Sequence, residues 1–200
     1  QVQYTYDNLN RLTNQNYPSN TAMNITYAYD VGSLLTSAAN SYSTNAFTYD
    51  NLNRVLTNTQ TLNATNYTVN YTYNDLNQTG VTYPSSKNVT YAYNANNLLS
   101  TLSVGGTALM NLTYDTLSRR VQKDLTGTAT KQAVYTYDIA DQLTTLDNKI
   151  SGGATISKHD YTYDNVSNRL THAITAAANK NYTFTYNNIY ELTGVSGSET

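Results

Sequence analysis

The chain has 200 residues, a formal net charge of −2, and neither Cys nor Trp. That balance offers no electrostatic footprint for nucleic acid or an anionic membrane. The lack of Cys excludes disulfides, thiolate catalysis and Cys-ligated metal, and no apolar run approaches the ~20 residues of a membrane-spanning helix. Charged residues make up only 12%, well below the usual quarter, while Asn (28), Thr (34) and Tyr (21) dominate. Disordered chains are charged and poor in aromatic and β-branched residues; this composition is the reverse and points to ordered β structure. No basic-then-apolar leader precedes Gln1, so the opening reads as a removed leader or the start of a fragment.

A four-residue phrase, an aromatic, a small residue, Tyr, then Asp or Asn, recurs from end to end. In chain order it reads Tyr4–Asp7, Tyr27–Asp30, Phe47–Asp50, Tyr71–Asn74, Tyr91–Asn94, the variant Leu112–Asp115, Tyr135–Asp138, Tyr161–Asp164 and Phe184–Asn187. Its second Tyr falls at Tyr6, Tyr29, Tyr49, Tyr73, Tyr93, Tyr114, Tyr137, Tyr163 and Tyr186. Self-similarity at such a period marks stacked repeats, each burying its apolar side against its neighbours. No linker or shift in composition interrupts the series, so residues 1–200 read as one array of about nine repeats.

With the second Tyr as position 0, positions −4, −2 and 0 are apolar or aromatic, as in Ile25/Tyr27/Tyr29 and Val89/Tyr91/Tyr93, and positions −3 and −1 are mostly Thr. This period-2 alternation predicts a strand with one aromatic and one polar face. Asp or Asn at +1 and Asn10, Ser33, Asn53, Asn77, Asn97, Ser118, Asp141 or Ser167 at +4 predict a tight turn through left-handed backbone, with Tyr190 the exception. An apolar residue at +6 or +7 (Leu12, Leu35, Val55, Leu99, Val121, Leu143, Leu170, Leu192) opens a return strand. Pro18, Pro84 and Gly152-Gly153 fall in the variable second connection. The expected fold is all-β, tandem β-hairpins in a continuous meandering strip, with the nine position-0 tyrosines aligned as a structural ladder on one face.

The run Tyr4-Thr5-Tyr6-Asp7-Asn8-Leu9-Asn10-Arg11-Leu12 resembles the Tyr-x-Tyr-Asp-x-x-Gly-Arg-Leu signature of Rhs/YD repeats in every position but the Gly. Phe47 to Val55 and Tyr161 to Leu170 are similar. The resemblance implies β-hairpins laid side by side in a long spiralling strip. In bacterial polymorphic toxins and insecticidal toxin complexes such a strip encloses a toxic domain; in teneurins it forms a barrel on an adhesion protein. The Asp-Pro motif of the shell core is absent here, as is a non-repetitive toxin segment, and 200 residues are too few to close such a shell.

Sites of chemistry are sparse. His159 and His172 are the only histidines; with no third ligand in a metal-binding spacing, His159 at position −4 reads as a packed side chain. The eleven Asp invite a carboxylate-pair mechanism, but most stand at or near +1, where turn formation explains them together. Asp-x-Asn clusters lack the oxygen count of a Ca²⁺ loop. No metal, cofactor or turnover is expected. Asn-x-Ser/Thr sequons are numerous; Asn24, Asn88 and Asn181 share position −5 on the polar face and, with Asn111, are the candidate glycosylation sites.

The leading expectation is a non-catalytic, secreted or cell-surface repeat protein that forms a wall, fibre or coat by edge-to-edge association. Its partners are then its own kind or further repeats, with glycans as a possible decoration and no nucleic acid. Neither Gln1-Val2-Gln3 nor the tail from Gly194 to Thr200 resembles a polar cap, and unpaired edges invite association. The alternatives are a segment of a toxin-enclosing Rhs shell and a carbohydrate-binding or adhesion module.

Overall fold

The structure, a computed structural model, describes residues 1–127, 131–150 and 152–199. Among the described residues there are eighteen strands, paired antiparallel, and the one helical element is a 3₁₀ turn at Thr21–Met23. The fold is all-β, built from tandem hairpins. The chain divides into two compact units, Gln1–Thr90 with Val104–Gly106, and Tyr91–Ser103 with Thr107–Thr200.

In the first unit the strands are β1 (Gln3–Tyr6), β2 (Leu12–Asn16), β3 (Ile25–Tyr29), β4 (Leu35–Ala39), β5 (Ser43–Tyr49), β6 (Val55–Leu62), β7 (Thr65–Tyr73) and β8 (Gln78–Thr82). Each pairs with the next, and β8 pairs with the start of β9 (Asn88–Tyr93). The rest of β9 enters the second unit, which continues with β10 (Leu99–Val104), β11 (Thr107–Tyr114), β12 (Arg120–Leu125), β13 (Lys131–Tyr137), β14 (Leu143–Ile150), β15 (Thr155–Tyr163), β16 (Arg169–Thr175), β17 (Lys180–Tyr186) and β18 (Leu192–Glu199). From β11 onward each strand again pairs antiparallel with its successor. The predicted uncapped tail is β18 itself; Thr200 lies outside the described residues.

The alternation read from sequence appears as burial. Along β3 and β17 every second side chain is half-buried and those between are exposed. Ile, Tyr and Phe take the covered face, and Thr the open one. Nothing lies deep: among the described residues only Gly80 and Val81 are buried. At Gly80 the reason is close approach, since a Cβ there would stand 2.7 Å from Thr72 Oγ1. On the open face threonines bond across strands, Thr48 with Thr57 at 2.7 Å, Thr59 with Thr68 at 2.9 Å and Thr162 with Thr171 at 2.6 Å. Cross-strand pairs of this kind contribute roughly 0.2–1 kcal/mol each.

A β-bulge recurs at the same place in the repeat. Register slips by one residue between positions −1 and 0, at Thr5/Tyr6, Ala28/Tyr29, Thr48/Tyr49, Thr72/Tyr73, Thr113/Tyr114, Thr136/Tyr137, Thr162/Tyr163 and Thr185/Tyr186. The slip places residue +6 opposite the position-0 Tyr, as in Tyr6 opposite Leu12 and Tyr49 opposite Val55. A bulge re-aims a side chain at a strand end, and here it does so in all eight of these repeats.

The turns follow the +4 expectation with one correction. Asn10, Ser33, Asn53, Asn97, Ser118, Asp141, Ser167 and even Tyr190 have φ between 62° and 71°. The fourth loop is a residue shorter: Gln78 already faces Tyr73, and Asn74 N–H donates to the Asn77 carbonyl at 2.9 Å. Asn77 therefore stands where other loops have their fifth residue, not the left-handed fourth.

Candidate functional site

The site that repeats is the joint between one hairpin and the next, and it starts from the Asp or Asn at +1. In the first loop Asp7 N–H donates to the Arg11 carbonyl and Asn10 N–H to the Asp7 carbonyl, both at 3.0 Å. Asp7 Oδ1 then accepts the N–H groups of Leu9 at 2.9 Å and Arg11 at 3.0 Å. The same cradle forms around Asp50, Asn94, Asp115, Asp138, Asp164 and Asn187. Asn serves as well as Asp because Oδ1 is the acceptor in both.

The second carboxylate oxygen is then free for the residue at +5. Arg11, Arg54 and Arg119 each donate Nε to the Oδ2 of their own loop's Asp at 2.7 Å. In the eighth loop Asn168 Nδ2 takes that role at 2.9 Å. In the ninth the polarity is reversed, with Asn187 Nδ2 donating to Glu191 at 2.8 Å. The N–H groups of Arg11 and Arg54 are the leading cause that holds the Asp7 and Asp50 carboxyls below their ordinary value of 3.8. At Asp115 burial pushes upward, and the hydrogen bonds from Arg119 outweigh it.

Each of these arginines also reaches the following repeat. Arg11 Nη1 donates to the Asp30 carbonyl at 3.1 Å, Arg54 to the Asn74 carbonyl at 2.8 Å, and Arg119 to the Asp138 carbonyl at 3.1 Å. Their guanidinium groups lie over the next position-0 ring, 4.8 Å above Tyr29, 4.4 Å above Tyr73 and 4.9 Å above Tyr137. The arrangement combines an ion pair, a charge-assisted hydrogen bond and a cation–π contact.

The position-0 hydroxyl closes the joint from the other side. Tyr29 donates to the Leu12 carbonyl at 2.9 Å, Tyr49 to Leu35 at 2.7 Å, Tyr73 to Val55 at 2.9 Å and Tyr114 to Leu99 at 2.8 Å. Tyr137 donates to Arg120 at 3.0 Å, Tyr163 to Leu143 at 2.8 Å and Tyr186 to Arg169 at 3.0 Å. In every case the acceptor is residue +6 of the preceding repeat. That carbonyl is available because pairing with the next repeat begins only at residue +8, as at Asn14, Ser37, Thr57 and Gln122. Burial raises the phenol pKa of Tyr73 and Tyr163 above 10.0, in keeping with groups that must stay protonated to donate.

Of the predicted ladder residues, seven thus share one inter-repeat hydrogen bond; Tyr6 and Tyr93 occupy the same strand-end position. Sequence reasoning assigned these rings to stacking and missed the hydroxyl. The signal was present: position −2 accepts Phe47, Leu112 and Phe184, whereas position 0 is Tyr in all nine repeats. Only the phenol oxygen distinguishes the two positions.

The structure also joins the two histidines, which lie far apart in sequence. His172 sits opposite Tyr161, two cross-strand pairs along from His159 and so on the same face, and His159 Nδ1 is 2.9 Å from His172 Nε2. His172 further packs 4.6 Å from the Tyr161 ring and 5.9 Å from Tyr182. Burial, then the neighbouring His159 and Arg169, lower the His172 pKa. Among the described residues no group of three His, Cys, Asp or Glu stands ready for a metal ion. Of the sequon asparagines, Asn88 and Asn181 are exposed. Asn24 and Asn111 are half-buried, their Oδ1 atoms accepting from Tyr17 N–H at 2.7 Å and Thr101 Oγ1 at 3.1 Å.

No family model matches the chain, and no curated protein matches it in sequence. Among solved structures it is similar to TcdB2-TccC3, with a TM-score of 0.72 at 14% identity. It is also similar to TcdB2-TccC3-Cdc42, at 0.71 and 13%, and to TcdB2-TccC3 without the hypervariable C-terminal region, at 0.72 and 13%. Each match covers 97% of this chain and 12% of the other, so the chain spans a small part of those proteins' length. The likeness establishes an Rhs-like fold.

Proposed function

We propose that this chain is a stretch of non-catalytic wall in an exported Rhs-type shell, working with further repeats of the same protein. The observation that carries the reading is the joint: the same Tyr hydroxyl meets the same carbonyl of the preceding repeat at seven positions. A device that fixes each hairpin to its predecessor makes a stiff sheet, which is what a wall requires. The +1 carboxylates are committed to turn closure, which supports a structural role over acid–base chemistry. The similarity to TcdB2-TccC3 favours a shell over a fibre as the use of that wall. Electron microscopy of the intact gene product that carries this stretch tests the reading. Hollow particles with walls one sheet thick support it; filaments would transfer the role to the fibre or coat, and a solid particle would refute both.

A further inference from the structure

The tips of the hairpins carry a pattern that the turns themselves do not need. The loop cradle is made by the residues at +1, +4 and +5, and the residue at +3 contributes to it only its backbone N–H, as Leu9, Leu52, Leu117, Val166 and Ile189 do. Its side chain is under no constraint from the turn, and a solvent-facing tip favours polar residues. Yet Leu9, Leu52, Leu76, Leu117, Val166 and Ile189 stand at +3, and where +3 is Gly32 or Ala140 the aliphatic residue moves to +2, as Val31 and Ile139. Eight of the nine loops thus present one aliphatic side chain, each between 52% and 106% exposed. The first unit carries four of these tips and the second unit four.

A single exposed aliphatic side chain is ordinary on a protein surface, but this one recurs at the hairpin tip in eight loops, and the spacing of the row restricts what can cover it. One repeat is two strands, so successive tips stand about 9.6 Å apart at the usual inter-strand distance. An extended peptide repeats a side chain on one face every ~6.8 Å and falls out of step at once. A helix offers one residue per seven at ~10.5 Å and drifts by nearly 3 Å across four tips. Another tip row of the same chain has the same pitch by construction, and each gap of ~9.6 Å accepts one opposing side chain at van der Waals distance on both sides. Charge repulsion is relieved at three of the tips, where Asp7, Asp50 and Asp115 are paired with Arg11, Arg54 and Arg119.

We propose that the hairpin-tip row is a self-complementary docking rim, occupied by the tip row of a second copy of this chain with side chains interdigitated. This is separate from edge pairing of strands and does not rest on the shell reading. Four tips bury on the order of 400 Å² on each copy, about half of a standard interface side, so the association is weak and concentration-dependent.

The test combines two measurements on the full chain. Sedimentation equilibrium compares the parent with a variant carrying Leu9→Ser, Leu52→Ser, Leu76→Ser, Leu117→Ser, Val166→Ser and Ile189→Ser. The expected result is a dimer dissociation constant raised at least tenfold, with an unchanged β-sheet circular dichroism spectrum. Because the parent has no Cys, Leu52→Cys and Val31→Cys proteins, alone and mixed, report contact directly through disulfide formation under mild oxidation. Thr90→Cys on the exposed polar face is the control. Tip cysteines should cross-link well ahead of position 90. A parent that stays monomeric, a dissociation constant that the serines leave unchanged, or cross-linking no faster at the tips than at position 90 would each overturn the proposal. The cysteine arm stands even if the multiple serine variant fails to fold.

Discussion

The joint between the third and fourth repeats and the joint between the eighth and ninth reach one result by different means. In the first, Arg54 ties Asp50, the Asn74 carbonyl and the Tyr73 ring together at 2.7, 2.8 and 4.4 Å. In the second, the +5 residue is Asn168, which bonds only its own Asp164, and the cation moves one residue on to Arg169, lying 4.3 Å over Phe184 on the covered face. Both joints keep the tyrosine, as Tyr73 to the Val55 carbonyl at 2.9 Å and Tyr186 to the Arg169 carbonyl at 3.0 Å. The hydroxyl-to-carbonyl bond is therefore the constant part, and the guanidinium is a reinforcement whose position can change.

Substitutions at the two joints sharpen that distinction. The largest single effect is expected at Asp50→Ala, which removes the acceptor of two backbone N–H groups and the partner of Arg54 together. A fall in Tm of about 5 °C is expected by thermal melt, with roughly half of it restored by Asp50→Asn, which keeps Oδ1. Arg54→Ala follows, with a loss of about 3 °C, because three contacts across the joint disappear while the turn remains closed. Asn168→Ala should cost about 1 °C, since its bond stays within one loop. Equal losses at Arg54 and Asn168 would mean that the guanidinium does not link repeats.

pH separates the same two parts. The Asp7, Asp50 and Asp115 carboxyls titrate lower in the folded chain than their ordinary 3.8. Their contribution is complete above that value and disappears as acid carries the pH through the lowered folded values. The Tyr73 and Tyr163 phenols titrate above 10.0 when folded, so their contribution is complete below 10.0 and disappears as alkali ionises them. Stability measured across pH should fall at both ends, with one smaller loss inside these limits as the pH drops below 6.5, because His172 titrates lower in the folded chain. Tyrosinate absorbance should rise only with alkaline unfolding for these rings. Stability that holds unchanged through both the acid and the alkaline limit would contradict both assignments.

Much of the fold was legible because it depends on local rules. Period-2 alternation marked the strands, and Asn10, Ser33, Asn53, Asn97, Ser118, Asp141 and Ser167 marked the left-handed turn position that Asn, Asp and small polar residues tolerate. Asn77 misled because a one-residue deletion leaves the phrase Asn-Asp-Leu-Asn looking intact while shifting its role. The joint was not legible from spacing, because its partners are 14 to 20 residues apart and meet only once neighbouring repeats are paired in register. The same holds for His159 and His172, whose contact depends on the β15–β16 register.

The most direct test of the hydroxyl joint is a comparison of two sets of Tyr→Phe changes in thermal and denaturant unfolding. One set replaces Tyr29, Tyr49, Tyr73, Tyr114, Tyr137, Tyr163 and Tyr186, each of which loses one hydrogen bond worth about 1 kcal/mol. The other replaces the position −2 tyrosines Tyr27, Tyr71, Tyr91, Tyr135 and Tyr161, which keep their rings on the same face. The position-0 set should lose most of the stability of the fold or fail to fold at all, while the −2 set stays within about 1–2 kcal/mol of the parent. Equal, small losses in the two sets would contradict the hydroxyl as the element that holds one repeat to the next.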